Sequence, residues 1–459
     1  MRTRVRKRWE NDYVPTALLV VLGFLYVCIF ILPHLPGSKG REERKFVYSR
    51  IPQTSFMMLL AGDDYSDRVR KLFHFDKESI RQDSIEIFDS AFGEERIPIE
   101  SKLDWAIFFL KIGDEERMGR CLEEIGDVED ELENRHALVV SLAEGGDLSP
   151  DIVDWVYTVY RDGKSELPEW YYLAVVRGDE DVAGWLENEG ALIISRGVFA
   201  STVAVAAIGI SLLAGICFLI FRKKFPLPKS GRILFRSWRW KVVVREYFIA
   251  YLVTLLVVGI VSLFLFVSRY DTAVLVTSVV FMSVPCLWMV LRLTPSPKAA
   301  LRAFELIRSK WPAGKLILFG LVGIAWLGIE LILLRLFAPT GMGLEDAIRP
   351  EFLDRKFAIA NGFLIAGLVA PICEEVIFRG FLWGGLTPRF GGIPAAVLTS
   401  ALFALLHGYS QVGLIATFGY GLVFCWMFAR SGSLWPGIIA HGLFNIVVLL
   451  QVESWYSLH

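Results

Sequence analysis

Charge-free runs of about twenty residues recur along this chain, and they constrain its fold more than any other feature. A segment of that length spans a bilayer as a helix, which alone pairs every backbone group within itself. The charge-free runs are Val14 to Leu32, Gly197 to Phe221, Tyr247 to Ser268 and Thr272 to Leu291; Leu316 to Leu334 continues the series with one acid at Glu330, and the longer apolar stretch Phe357 to about Leu386 follows. A charge-free region of 40 residues from Phe390 to Ala429 is too long for one span, and HGYSQVG supplies a turn in its middle. A last run covers Leu434 to Val452. The expected fold is an all-α polytopic membrane protein with about nine transmembrane helices. The first run follows the basic start MRTRVRKRW, is longer than a signal core and precedes no AxA-like site, so it is expected to be retained as a helix.

The formal net charge of -1 hides an asymmetry. Lys39 to Arg196 holds 36 acids and 20 bases, net -16, leaving 13 acids and 28 bases elsewhere, net +15. Residues 222–245 carry nine bases and no acid, and residues 292–315 six bases and one acid. Bases in short loops stay on the cytoplasmic side, so the amino terminus is expected in the cytoplasm and the acidic segment outside, most simply across a plasma (inner) membrane. RSWRW, Arg236 to Trp240, fits an interfacial anchor. Five of the six cysteines lie in apolar runs, so no disulfide framework is expected, and Cys121 fits a small buried hydrophobe.

The acidic segment repeats itself. WAIFFLKIGDEERMGRCLEEIG from Trp105, HALVVSLAEGGDLSPDIVDWVY from His136 and EWYYLAVVRGDEDVAGWLENEG from Glu169 align with Gly-Asp pairs at Gly113, Gly146 and Gly178, 33 and 32 residues apart. That period suits helix-turn-helix repeats of the tetratricopeptide type, with Gly ending one helix and Asp capping the next. A further Gly62-Asp63 corner is out of register. An inserted extracytoplasmic helical-repeat domain is expected over 37–196, able to fold alone from about Gly62 to Glu189 and to present a protein-binding surface. The other expected divisions are 1–36 for the basic start and first span, 197–345 for the next four spans, and 346–459 for the last ones.

Ionisable groups inside membrane spans are expensive and therefore functional candidates. In the last hundred residues these are Glu374, Glu375 and Arg379 in APICEEVIFRGFLWGGL, His407 in LFALLHG, and His441 with Asn445 in LWPGIIAHGLFN. Residues four apart share a helix face, whereas neighbours diverge by about 100°. Glu375 and Arg379 can therefore pair, leaving Glu374 to polarise water; His441 and Asn445 share a face, as do Phe403 and His407. Counting rise from the turn at Pro388 to Gly392 puts Glu374 and His407 level, each about 20 Å away, whereas His441 lies only about 10 Å above its own turn unless tilt or a shifted helix start brings it closer.

These residues form EExxxR, FxxxH and HxxxN motifs in that order, over about Phe357 to Leu450, with AP before the Glu pair and SLWPGIIAH ending in the last His. The chain thereby resembles the CPBP family of intramembrane proteases, which includes type II CAAX prenyl endopeptidases and bacterial relatives linked to bacteriocin processing or immunity. The resemblance implies an endopeptidase that hydrolyses peptide bonds of a membrane-associated protein or peptide. Glu374 and His407 would activate water, and His441 and Asn445 would hold the oxyanion. Glu375, Arg379 and Phe403 would support them. A glutamate in an apolar cavity suits a general base, and Asn445 suits an oxyanion-hole donor. Similar enzymes have been described both with and without a metal, so no cofactor is certain. Zinc on Glu374, His407 and His441 is the alternative; HExxH is absent, and the metal-free mechanism is favoured.

The expected partners are the substrate, the lipid bilayer and a protein bound by the outer domain, with no nucleic acid. A second function class is a non-catalytic membrane binding or immunity protein that retains the protease fold. A buried Glu374 beside His407 favours the enzyme. Inverted repeats with broken paired spans, the usual signs of a transporter, are not evident.

Overall fold

The computed structural model describes residues 16–26, 41–61, 70, 76–92, 99–123, 125, 132–162, 164, 166–220, 240–265, 270–306, 311–337, 362–407 and 411–456. Every regular element among them is helical. Five helices are long and apolar enough to cross a membrane: Glu180–Cys217, Trp240–Val261, Val276–Leu293, Ala313–Glu330 and Gly413–Ser431. Gly392–His407 and Trp435–Gln451 are apolar but shorter. The chain is thus an all-α integral membrane protein. Of the first expected span only Thr16–Tyr26 is described, and the Gly62-Asp63 corner and most of RSWRW lie outside the described residues.

In chain order the helices are α1 Thr16–Tyr26, α2 Arg41–Ala61, α3 Lys77–Phe92, α4 Ile99–Ile112, α5 Glu115–Glu123, α6 Glu133–Glu144, α7 Pro150–Arg161, α8 Leu167–Tyr171, α9 Glu180–Ile220, α10 Trp240–Leu265, α11 Tyr270–Leu293, α12 Pro297–Ala303 and α13 Ala313–Phe337. Then α14 joins a π-turn Ile365–Val369, an α-turn Ala370–Glu374, a π-helical stretch Glu375–Trp383 and an α-segment Gly384–Phe390. It is followed by α15 Gly392–His407, α16 Gln411–Ser431 and α17 Trp435–Tyr456. Two compact units arise: one from 40–202, 339–354 and 451–459, the other from 1–39, 203–338 and 355–450. Because α9 is continuous, the boundary expected at residue 196 falls inside a helix.

The first unit packs around an aromatic centre in which Trp105 stacks on Phe109 at 5.6 Å and Phe88 meets Phe109 edge-on at 4.6 Å. Cys121 is fully buried there, as a small hydrophobe should be. Left-handed glycines turn the chain at Gly113 (φ 75°), Gly145 (φ 66°) and Gly178 (φ 69°). Asp114 and Asp179 cap the following helices, accepting from Arg117 N at 3.1 Å and Val182 N at 3.1 Å. The middle corner departs from the expected pattern. Gly145 rather than Gly146 takes the left-handed conformation, and Ser149 rather than Asp147 is the cap, accepting from Ile152 N at 3.4 Å. The reason is that α6 stops one residue sooner and α7 starts with Pro150, which needs its cap immediately before it.

This core also corrects the limits expected for an independently folding fragment. Ile51, Phe56 and Met57 of α2, together with Ile193 and Ile194 of α9, are buried in it, and all five lie outside Gly62 to Glu189. Gly190 meets the Met57 carbonyl so closely that a Cβ there would overlap it.

In the second unit α10 pairs with α11, α15 with α16 and α13 with α16. Glu330 is the acid within α13. Its carboxylate lies against Gly419 of α16, where a side chain would collide with it, and its Oε2 is buried without a hydrogen bond. The span tolerates this acid because a glycine on the facing helix leaves it room.

Candidate active site

The candidate residues come from α14, α15 and α17, with α16 closing behind them. On α14 the two glutamates and Arg379 are all buried, Arg379 being only 1% exposed. Arg379 Nη1 lies 3.1 Å from Glu375 Oε1, as the four-residue spacing predicts. The contact is an ion pair of poor alignment, since none of the three guanidinium nitrogens makes a directed hydrogen bond. Aromatic faces complete its surroundings: the guanidinium carbon is 4.3 Å from the Phe403 centroid and 5.0 Å from that of Phe424.

His441 joins the two carboxylates. Its Nε2 is 3.7 Å from Glu374 Oε2 and its Nδ1 is 3.4 Å from Glu375 Oε1. The ring stacks on Phe424 at 5.0 Å with an interplanar angle of 20°. Helical rise alone leaves His441 well below Glu374, so this juxtaposition overturns the expected difference in depth. Two local features account for it. The stretch after Glu374 is π-helical, so each turn takes up more residues. The turn before α17 is itself sunk in the protein: Ser433 and Leu434 are fully buried, and Leu434 N donates to Phe304 O at 3.2 Å.

His407, at the end of α15, reaches the cluster through Phe403, whose ring is 4.6 Å from it and 5.9 Å from His441. Its Nδ1 lies 2.7 Å from the Phe403 carbonyl oxygen. A carbonyl only accepts, so Nδ1 carries the proton, and in the neutral ring Nε2 presents a lone pair. Asn445 donates from Nδ2 to Ala366 O at 2.9 Å, a carbonyl in the first π-turn of α14. One Nδ2 proton is therefore occupied and the second is left for another acceptor.

Glu375 meets Arg379 and Phe403 meets His407 at the four-residue spacings, whereas the contacts of Arg379 with Phe403 and Phe424 were not expected from the sequence. The signal of Phe424 was weak, since one phenylalanine in an apolar span looks like any other core residue. Among the described residues no three His, Cys, Asp or Glu side chains gather as a metal-holding set.

Residues 357–447 match the family model "Type II CAAX prenyl endopeptidase Rce1-like". The chain is 31% identical over 114 residues to a Bacillus subtilis (strain 168) protein named "Putative membrane peptidase YdiL", covering 25% of this chain and 46% of that protein. It is also 26% identical over 82 residues to "UPF0177 protein YxdF" of Lactococcus lactis subsp. lactis (strain IL1403), covering 18% and 45%. The chain thus spans less than half the length of either relative. No solved structure gives a significant match. The match encloses all of the candidate residues, from Glu374 to Asn445, so the C-terminal part of this membrane protein is similar to Rce1-like CAAX protease domains.

Proposed function

We propose that the chain is an intramembrane endopeptidase that hydrolyses peptide bonds of a membrane-associated protein or peptide. The observation that carries this reading is the approach of His441 to Glu374 at 3.7 Å, which brings residues of the first and last motifs to one buried point. A water held by Glu374 and the lone pair of His407 Nε2 loses a proton as it attacks the scissile carbonyl. General base catalysis of this kind contributes on the order of 10²–10⁴ in rate. The oxyanion is held by His441 Nε2–H and by the second Nδ2–H of Asn445, a donor pair of the sort whose members each contribute about 10²–10³. The proton taken from water then passes to the leaving amine.

Glu375 and Arg379 act as a neutral buried pair that keeps the His441 ring in place, since Glu375 faces both Arg379 and His441. In this account the acidic segment is extracytoplasmic and its net charge of -16 over Lys39 to Arg196 recruits or gates substrates with basic stretches. A prenylated tail is one substrate class for such a site. Comparative proteomics of membrane fractions carrying native protein or Glu374→Gln tests the proposal. Substrates should accumulate uncut in the variant, and identical peptide patterns would contradict it.

A further inference from the structure

The wall of the candidate site next to Glu374 comes from α10 and α11, outside the segment matched to the family. Helix α10 runs antiparallel to α14 in a readable register. Trp240 meets Phe390 with ring centroids 5.4 Å apart. Val243 lies under Gly385, where a Cβ would come within 2.7 Å of its Cγ2. Tyr247 meets Phe378 at 6.1 Å. One further turn of α10, against a stretch of α14 that takes up more residues per turn, brings Tyr251 to the Cys373–Glu374 end of that stretch.

The contacts of Tyr251 agree with that register. It is 5% exposed, its ring is 5.0 Å from Tyr247 and 6.3 Å from Phe281, and its hydroxyl shares a hydrogen bond with that of Tyr247. It interacts electrostatically with Glu374 and with the thiols of Cys286 and Cys373, the latter adjacent to Glu374 in sequence. A phenol can donate one hydrogen bond while accepting another. In an otherwise apolar interface, a hydroxyl without a polar task is disfavoured.

We infer that Tyr251 is a positioning residue of the site: Tyr247 donates to its oxygen, and its own O–H is directed at the Glu374 carboxylate, fixing that group for water activation. The catalytic part of this inference rests on the peptidase reading, whereas the hydrogen bond itself does not. The test therefore has two arms on the full-length protein in lipid. In the first, isotope-edited infrared spectra locate the Glu374 carboxyl bands as those lost in Glu374→Gln. These bands should shift in frequency in Tyr251→Phe and shift less in Tyr247→Phe. They should stay in place in Phe281→Leu, which alters packing on Tyr251 without removing a hydroxyl. Unmoved bands in Tyr251→Phe, or an equal shift in Phe281→Leu, would overturn the inference.

In the second arm, a substrate identified by proteomics is turned over by each variant. Tyr251→Phe should lower kcat about 10-fold or more with KM unchanged, the effect of losing one hydrogen bond to a charged group. Unchanged kcat would overturn the positioning role. Failure of the peptidase reading would instead appear as native protein and Glu374→Gln behaving alike, with the infrared shift still present.

Discussion

Removing Glu375 should be more damaging than removing its partner Arg379. Both side chains are 1% exposed and 3.1 Å apart, so neither can turn to water when the other is lost. Breaking a buried pair by deleting one member costs about 3–5 kcal/mol. The two deletions differ in what remains. A stranded carboxylate can take up a proton, whereas a guanidinium cannot lose one. After Glu375→Gln the positive charge persists, relieved only by the faces of Phe403 and Phe424 at 4.3 and 5.0 Å, interactions of up to ~2 kcal/mol when desolvated. Glu375→Gln should therefore fall near the upper end of that range, and Arg379→Met nearer the lower end with a penalty that shrinks as pH falls. With a thermal midpoint moving about 2–4 °C per kcal/mol in a unit of this size, the single variants should drop by about 6–20 °C. The double variant Glu375→Gln, Arg379→Met should recover most of the loss, because uncharged groups of similar volume replace the pair. Circular dichroism melts of the detergent-purified set measure this. A double variant no more stable than the worse single one would refute the pairing argument.

Gly442→Ala should impair activity with little loss of helix content, because a Cβ on Gly442 would overlap the Gly367 carbonyl oxygen and push α17 off α14. A displacement of about 1 Å at His441 and Asn445 should lower turnover on the order of 100-fold, read by substrate cleavage in isolated membranes. Burial first, and then the charge of Glu166, hold the Asp104 carboxyl well above the usual carboxylate range, against the opposing effect of Arg135. A raised folded value means that the folded state holds the proton more tightly. The associated stability is complete below about pH 3.9 and declines by up to ~1.4 kcal/mol per pH unit as pH climbs to the folded midpoint. Asp104→Asn should flatten that decline in melts recorded against pH. A fragment of residues 40–202 should be helical and unfold cooperatively, whereas 62–189, which lacks Ile51, Phe56, Met57, Ile193 and Ile194, should not.

The site was legible in sequence because membrane spans punish stray ionisable groups, so that Glu374, Glu375, Arg379, His407 and His441 stood out from apolar surroundings. Their pairing followed wherever the four-residue spacing held, as in Glu375 with Arg379. What sequence did not reveal depends on departures from ideal helices. The π-helical stretch Glu375–Trp383 and the buried turn at Ser433 bring His441 to Glu374 against the count of helical rise. Asn445 shared a face with His441 on paper, yet its partner Ala366 belongs to a π-turn that no residue pattern announces. Tyr251 and Phe424 look like span residues until packing puts them beside the charges. In the acidic unit the glycine corners were visible, but the choice of Gly145 over Gly146 turned on a single Pro-dictated cap. The share of α2 in that core was missed because its apolar stretch, SFMMLLA, is short and lies at the end of a charged helix.

The central claim is that Glu374 activates water in a buried peptidase site. Its most direct measurement is cleavage of a proteomically identified substrate by purified protein in proteoliposomes, comparing native chain with Glu374→Gln at equal folded content. The account predicts that the variant keeps its helix content and melting behaviour while turnover falls by about 10²–10⁴ or more. Cleavage by Glu374→Gln at the native rate would contradict it.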